Sequence, residues 1–501
     1  MTGLLISLLV SQNLWAKTYE GEGREEANSI IQTYDGGFMV AGWTYSYGAI
    51  NDPLLIKLSP SGDLEWARAF AMPAYEYAIY VIQTSDSGYA FAGFSHDGYA
   101  MVIKLNGSGD VLWSRFLLNG EAWAITETSD KGLVVAGYYY ASGSNTDLLI
   151  FKLDASGNLL WAKTLGGSYY DKLWSVTETS DGSLLFGGQA NLGTGYGFLV
   201  LKTNSSGSPI WARLFKGAGA WDFARSVIQT ADGNYAVAGW VDYLPGEDAF
   251  ALKLTPSGTL LWAKTYGGTD ADRAYSVTQL ADGGLAIAGY TANYGSGGRD
   301  FFILKLDDSS GNPIWVRTLG GASHDDAFSV TRTSDGGLAV TGRTPGSITT
   351  GILVLRMGAD GNYTDCVAGC APTVSNLGFP VESPSIPQVS TLTLTDQSFT
   401  PGSFGVVTRD FCQPVRVDEQ APGRDPAGIT CSPVPGGILF NSSDVMVIKI
   451  YSADGRVAYF GNLEKGQNRI TLETGVYLWR ADCRGAGAPA YPASFGKAVV
   501  K

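Results

Sequence analysis

Residues 261–290 read LWAKTYGGTDADRAYSVTQLADGGLAIAGY, and this unit recurs along the first three quarters of the chain. A repeat of about fifty residues fixes the architecture before any local reading of helix or strand. Three markers count it. The tryptophan of the LW segment occurs at Trp15, Trp66, Trp113, Trp161, Trp211, Trp262 and Trp315, spaced 51, 47, 48, 50, 51 and 53 residues apart. A turn aspartate recurs at Asp35, Asp86, Asp130, Asp181, Asp232, Asp282 and Asp335, and a glycine at Gly42, Gly93, Gly137, Gly188, Gly239, Gly289 and Gly342. Each series has seven members.

Every unit is patterned for strands. SVTQL (276–280) alternates, Asp282-Gly283 signals a hairpin of the primed-turn kind, and LAIAGY, FFILKL and PIWVRT complete the set. Four short strands per unit, repeated seven times, predict an all-β, seven-bladed β-propeller. The seventh unit lacks its LW strand, where GNYTDC (361–366) stands instead, and the chain begins with an orphan one, NLWAKTY (13–19). The orphan is expected to complete the seventh blade and remove an open edge.

The domain plan that follows has a signal-peptide-like segment at 1–12, the propeller at 13–365, a linker or small irregular module at 366–435 and an ordered terminal domain at 436–501. LLISLLV (4–10) resembles a signal-peptide core without a basic flank; cleavage near Ser11 spares the closing strand and cleavage after Ala16 removes it. That run is also the longest apolar one, far short of the ~20 residues of a membrane-spanning helix. The net charge of −13 argues against nucleic acid and anionic membranes as partners. All five cysteines (Cys366, Cys370, Cys412, Cys431, Cys483) follow the repeats, which suggests disulfides in an oxidising compartment with at least one thiol left over and no pairing fixed by the sequence. Cys366 and Cys370 make at most half of a zinc site. Pro, Ser and Thr crowd the segment after 366 and forbid helices and central strands there.

The loops entering the inner strands carry an acid four residues before the strand's serine position: Glu25, Glu76, Asp171, Asp222, Asp272 and Asp325, with Gly120 and then Glu121 in the third unit. Loops on the same face are rich in tyrosine, represented by Tyr47, Tyr139 and Tyr294. One reading is an acidic, aromatic ligand-binding ring near the axial mouth, in which carboxylates and backbone carbonyls suit Ca²⁺; no other cofactor is expected. The other is that each acid caps its own loop, and its recurrence in nearly every unit favours this reading. His96 and His324 fall in loops as solvated side chains. The recurring Lys57, Lys104, Lys152, Lys202, Lys253, Lys305 and Arg356 read as snorkelling or blade-bridging cations. No nucleophile elbow, zinc-protease motif or phosphate loop is present, so no catalytic residue is assigned and the chain is read as a non-enzyme.

Two resemblances add to this. IYSADGRV (450–457), GQNRITL (466–472), GVYLWR (475–480) and the terminal GKAVVK (496–501) resemble, in order and position, the C-terminal sorting domain of the bacterial type IX secretion system. The resemblance implies a small immunoglobulin-like sandwich, export by that machinery with Gly475, Tyr477, Lys497 and Lys501 in the signal, and an extracellular or cell-surface destination. Cys483 and the insert at 485–495 depart from the pattern. Segments such as KLDASGNLLWAK (152–163) are similar to quinoprotein-like bacterial propellers, but the vicinal cysteines of their quinone site have no counterpart here. The function expected is non-catalytic binding or adhesion by a monomeric propeller, with an extracellular glycan or protein as ligand. A carbohydrate-active enzyme using the loop carboxylates and a structural surface or filament protein are the alternatives.

Overall fold

The computed structural model describes residues 14–362 except 47–49, 71–73, 142–144, 167–168, 192–195, 217–221, 244–245, 296 and 346–349. Beyond 362 it describes the backbone of strands between 368 and 500. The chain forms two compact units, 1–412 and 413–501.

The first unit is the seven-bladed β-propeller. Blade 1 shows the plan: an inner strand Glu25–Gln32, then Phe38–Thr44, Asp52–Leu58 and the outer Leu64–Ala69, all antiparallel neighbours. Six of the blades run through the chain in this order. The seventh takes Asp326–Arg332, Leu338–Pro345 and Thr350–Met357 from one end of the propeller and Trp15–Glu20 from the other, with Trp15 opposite Arg356 and Tyr19 opposite Ile352. The ring thus closes as the orphan LW strand predicts, and Trp15, Ala16 and Tyr19 are buried by the closure.

Within each blade the middle strands are buried on both faces, because blades pack face to face around the axis. Phe38–Thr44 and Asp52–Leu58 are buried at every residue. The hydrophobic clusters accordingly span pairs of blades, as where Phe198 of blade 4 lies 4.4 Å from Phe250 of blade 5. The first hairpin of each blade departs from the primed turn expected. In Thr33–Gly37 the Gly36 N–H donates to Thr33 O, and Gly37 N–H donates to the Asp35 carboxylate. Only Gly36, at φ 83°, is left-handed, so the aspartate's task is to cap the turn.

Two recurring glycines follow from packing. Each inner strand carries a β-bulge: Ala27 faces Gly42 and Ser29 faces Ala41, leaving Asn28 unpaired. The bulge drives the inner strand's backbone against its neighbour, so a Cβ on Gly42 would lie 1.9 Å from Glu26 O. The LW tryptophan of one blade lies on a turn glycine of the next. Gly62 (φ 76°) would place a Cβ 2.8 Å from the Trp15 ring, whose Nε1 donates to Pro60 O at 3.2 Å. The same pairing recurs around the ring to Trp315 over Gly361.

The cations on the third strands are nearly fully buried and bind the turn aspartate of their own blade, as in Lys152 Nζ to Asp130 Oδ2 at 2.6 Å. They are therefore chiefly ties within a blade. Lys253, which also meets Asp308 of blade 6, and Lys305, which also donates to Ala359 O, reach the neighbouring blade as well.

The proline-rich segment runs backwards around the ring. Ala368–Gly369 pairs with the outer strand of blade 6, Thr373–Asn376 with blade 5, Val381–Glu382 with blade 4, Gln388–Val389 with blade 3 and Leu394–Thr395 with blade 2. Val407–Asp410 then pairs with Trp15–Glu20 in blade 7. Prolines such as Pro372, Pro380, Pro384 and Pro387 limit each pairing to two to four residues. The first unit therefore extends past residue 365, where the sequence places the end of the propeller, to Cys412.

The second unit has a three-stranded sheet (Thr430–Val434, Gly437–Ser442, Gly466–Thr471) and a four-stranded one ordered Val457–Leu463, Met446–Ser452, Gly475–Cys483, Ser494–Val500. Gly475, Tyr477 and Lys497 share the latter, with Tyr477 opposite Ala498 and Lys497 opposite Leu478. Lys501, Cys366, Cys370 and Cys412 lie outside the described residues, as do the side chains of Cys431 and Cys483.

Candidate functional site

The bulge that unpairs Asn28 recurs in all seven inner strands, and a bulge redirects the side chain of its extra residue. Here the extra residues are Asn28, Ile79, Trp123, Trp174, Arg225, Tyr275 and Phe328, and together they line an axial cavity of about 120 Å³. Tyr80, Ser175, Ser226, Ser276 and Ser329, each following its bulge residue, complete the wall. Across the seven blades this position carries six residue types, with tryptophan in both blades 3 and 4.

The serines have a second task that holds the cavity's shape. Ser175 Oγ accepts from Val227 N at 3.1 Å, Ser226 from Val277 N at 3.2 Å, Ser276 from Val330 N at 3.1 Å and Ser329 from Ile30 N at 3.2 Å. Each bond crosses from one blade to the next. Tyr80 and Ala124 replace the serine in blades 2 and 3, so the lumen is asymmetric there.

Aromatic rings form a belt around the cavity. Trp43 meets Tyr77 at 5.7 Å, Tyr77 meets Phe94 at 5.1 Å, and Phe94 stacks on Trp123 at 5.4 Å. On the other side Trp174, Phe223, Trp240, Tyr275 and Phe328 follow one another at 4.6–5.2 Å. Arg225 projects among them, with its guanidinium carbon 5.2–5.6 Å from the rings of Trp123, Trp174, Trp240 and Tyr275. Desolvation by those rings lowers its pKa to about 10, which leaves it charged at neutral pH.

The other arginines of the rim are paired with carboxylates. Arg343 bridges Asp326 and Glu26, Arg299 meets Asp326 at 2.9 Å, and Arg273 donates to Glu247 at 2.8 Å. Lys172 sits 4.1 Å over the Tyr138 ring. Glu121 accepts from Trp123 Nε1 at 2.9 Å.

The acids singled out in the sequence are placed differently. Glu25, Glu76, Asp171, Asp222, Asp272 and Asp325 are all buried beneath their own loops. Glu25 accepts from Gly21 N at 2.9 Å and Thr44 Oγ1 at 3.0 Å, Glu76 from Ala74 N and Ser95 Oγ, and Asp171 from Asn191 N. Asp222 accepts from Asp242 N, Asp272 from Gly268 N and Asn293 Nδ2, and Asp325 from Gly321 N and Thr344 Oγ1. They cap the loops and do not line the axial cavity. Tyr294 is tied to Gly267 O at 3.0 Å, Tyr139 packs into the core between blades 2 and 3, and Tyr47 lies outside the described residues. His324 Nδ1 accepts from Arg299 N, and His96 lies against Tyr75, Tyr77 and Phe94.

Several of these acids meet a second carboxylate at a seam between blades. A Cβ on Gly267 would lie 2.1 Å from Asp248 and 2.7 Å from Asp272; Gly166 and Gly320 are likewise flanked by Asp147 with Asp171 and by Asp300 with Asp325. Desolvation raises Asp248 and Asp272 to about 6, and the Asp248 charge adds to the shift of Asp272. Among the described residues no three acidic, histidine or cysteine side chains gather in the manner of a metal centre.

The bulge residues carry no recurring signal in the sequence, unlike the tryptophans, aspartates and glycines of the repeat. Their signal is variation: the residue before the serine position of the inner strand takes six types in seven blades.

No family model and no curated protein matches the chain. Among solved structures, Sqt1 from Chaetomium thermophilum is similar over 70% of this chain and 99% of its own, with 12% identity and a TM-score of 0.45. The polysaccharide lyase Uly1 is similar over 66% of this chain and 90% of its own, with 10% identity and a TM-score of 0.41. PorZ, a surface component of the type IX secretion system of Porphyromonas gingivalis, covers 95% of this chain and 81% of its own, with 11% identity and a TM-score of 0.17.

Proposed function

We infer that the chain is an exported, surface-associated binding module that takes its ligand in the axial cavity without transforming it. The carrying observation is the ring of bulge residues, which varies from blade to blade and presents Trp123, Trp174, Tyr275 and Phe328 around a small lumen. Aromatic faces with a few convergent polar groups are how proteins commonly hold small ligands. The C-terminal resemblance supports export through the type IX machinery and an extracellular or outer-surface location.

Two experiments test this. Tryptophan fluorescence of the full chain, titrated with a panel of mono- and oligosaccharides and short peptides, should change for at least one class and lose that response in Trp123→Ala and Trp174→Ala with folding intact. A panel-wide response unchanged in both variants would remove the cavity from the function. Mass spectrometry of both chain ends after cell fractionation should find the protein at the surface or in the medium, with residues beyond about 435 removed. An intact C-terminus in the cytoplasm would overturn export.

The carboxyl of Glu76 gives an enzymatic alternative its one foothold: burial, with the charges of Asp52 and Asp97, raises it to about 7, within the range of a general acid. Turnover of a polysaccharide that is lost in Glu76→Gln would establish that reading in place of simple binding.

A further inference from the structure

The four arginines around the axial mouth divide into two kinds. Arg273, Arg299 and Arg343 each hold a carboxylate of this chain. Arg225 holds none: among the described residues its contacts are the four ring faces, and its guanidinium makes no hydrogen bond or ion pair. A guanidinium carries five N–H donors in a fixed fork. Ring faces answer its charge but leave those donors unused.

The adjoining wall is also biased towards donors. Ser175, Ser226 and Ser329 spend oxygen lone pairs on backbone N–H groups of the next blade, which leaves their hydroxyl protons free to point elsewhere. Asn28 Nδ2 donates to Ala78 O at 2.9 Å, so its carbonyl oxygen is the acceptor left to the lumen. In a chain of net charge −13, an unpaired cation among donors at the axis is a local reversal of the molecule's electrostatics.

We propose that Arg225 is the seat of a ligand carboxylate, and that the ligand is a sugar acid whose ring lies against the aromatic belt while its hydroxyls meet the serines and Asn28. This deepens, and rests on, the reading of the axial cavity as the binding site. The fork of a guanidinium matches a carboxylate through two parallel N–H···O bonds. One unpaired cation suits one negative charge. A dianionic phosphate would be undercompensated, with Glu26, Glu121 and Asp326 at the rim. The cavity of about 120 Å³ has room for about four waters at ~30 Å³ each, enough for the carboxylate end of the ligand. Pyranose faces and aromatic faces match in size and polarity, which favours a sugar acid over a peptide end.

The test is fluorescence titration of the full chain at fixed ionic strength with D-glucuronate, D-glucose and N-acetylglycine, since Trp123, Trp174 and Trp240 all border the guanidinium. Glucuronate should bind at least tenfold more tightly than glucose or N-acetylglycine. R225Q should bring glucuronate down to the glucose level, and R225K should retain part of the preference. Should R225Q fail to fold, the wild-type preference and R225K decide alone. Equal binding of glucose and glucuronate would overturn the carboxylate seat while leaving the axial site in place. Preference for N-acetylglycine would overturn the sugar assignment. A response to none of the three, alongside a response to some other panel member lost in Trp174→Ala, would overturn this inference alone.

Discussion

Ser329 Oγ, in the last blade, accepts a hydrogen bond from the backbone N–H of Ile30, in the first, at 3.2 Å across 299 residues of chain. It is the same bond that joins blade 4 to 5, 5 to 6 and 6 to 7, so the ring's closure uses the ordinary seam and no special latch. On the far side of the sheet Gln32 Oε1 repeats the match, accepting from Ser334 N at 2.6 Å as Gln229 does from Ser180 N. What closes the ring is the strand Trp15–Glu20, continuous in chain with blade 1 and hydrogen-bonded to Thr350–Met357 of blade 7. Its removal exposes the edge of Thr350–Met357 and takes away the buried side chains of Trp15 and Tyr19, each worth about 1.5–3 kcal/mol. Deleting residues 1–20 should lower the melting temperature by roughly 5–10 °C in calorimetry. An unchanged transition would mean that the seventh blade is stable with three strands.

The seam carboxylates set an alkaline limit on stability. Asp248 and Asp272, both near 6, and Glu76, near 7, have pKa values raised by burial above those of an unfolded chain. The folded state therefore binds more protons than the unfolded one between about pH 4 and 7, and stability falls as pH rises through that window. The turn acids act in the opposite sense. Hydrogen bonds from Lys152 and then Thr128 hold Asp130 near 2, so its contribution is present above about pH 4 and lost as pH falls through 2. The melting temperature should peak near pH 5 and decline by pH 8. Asp248→Asn should flatten the alkaline limb, because Asp272 then ionises beside a neutral neighbour.

The lysine–aspartate tie is asymmetric, and that asymmetry is measurable. Lys202 is buried while its partner Asp181, at 2.7 Å, is 56% exposed. Removing the acid strands a buried cation and also uncaps Thr179 and Ser183. Removing the lysine leaves an exposed carboxylate in water. Asp181→Ala should cost about 2–3 kcal/mol and Lys202→Met less than about 1 kcal/mol in urea unfolding. Equal costs would mean that the pair's direct attraction, and not desolvation of the lysine, dominates.

The fold was legible because its signals repeat. Trp113 over Gly157 makes the LW segment and the turn glycine two halves of one contact between blades, so both recur seven times and can be counted. The acids such as Asp272 also recur, and they prove to be loop caps for the same reason: a position every blade keeps is one every blade needs for folding. The candidate site obeys the opposite rule. Nothing in a local window marks Arg225, because its meaning lies in four rings drawn from blades 3 to 6, which only closure of the ring assembles. The turn type is not legible for a related reason: Asp282-Gly283 signals a hairpin, but which residue takes positive φ depends on the cap that aspartate makes.

The stacking of tryptophan on glycine can be separated from backbone strain by two alanine substitutions. Gly157 sits at φ 81° with the Trp113 ring 2.8 Å from a would-be Cβ, whereas Gly182, at φ 74°, has nothing within 4 Å. Gly182→Ala should cost about 1 kcal/mol, the penalty for a left-handed alanine. Gly157→Ala should cost about 1–2 kcal/mol more, because the indole must leave its seat and Nε1 its bond to Ala155 O. Equal losses in chemical denaturation would show that the tryptophan shifts without penalty.

The backward belt of short strands makes the last prediction. Outer strands of a propeller present unpaired N–H and C=O groups, which in other sheets invite association edge to edge. In six blades residues 368–410 cover those groups, and only the outer strand of blade 1, Leu64–Ala69, has no added strand among the described residues. Each added pairing is too short to stabilise a blade much; its effect is to occupy the edge. Truncation after residue 412 removes the second unit but keeps the belt, whereas truncation after 365 removes both. The longer product should remain monomeric in size-exclusion chromatography with light scattering, and the shorter should melt within a few degrees of it yet associate as concentration rises. If both stay monomeric, twist and side-chain charge protect the outer strands by themselves. If the shorter product instead unfolds, the belt belongs to the core of the propeller's stability, and the ring closed by Trp15–Glu20 is not sufficient alone.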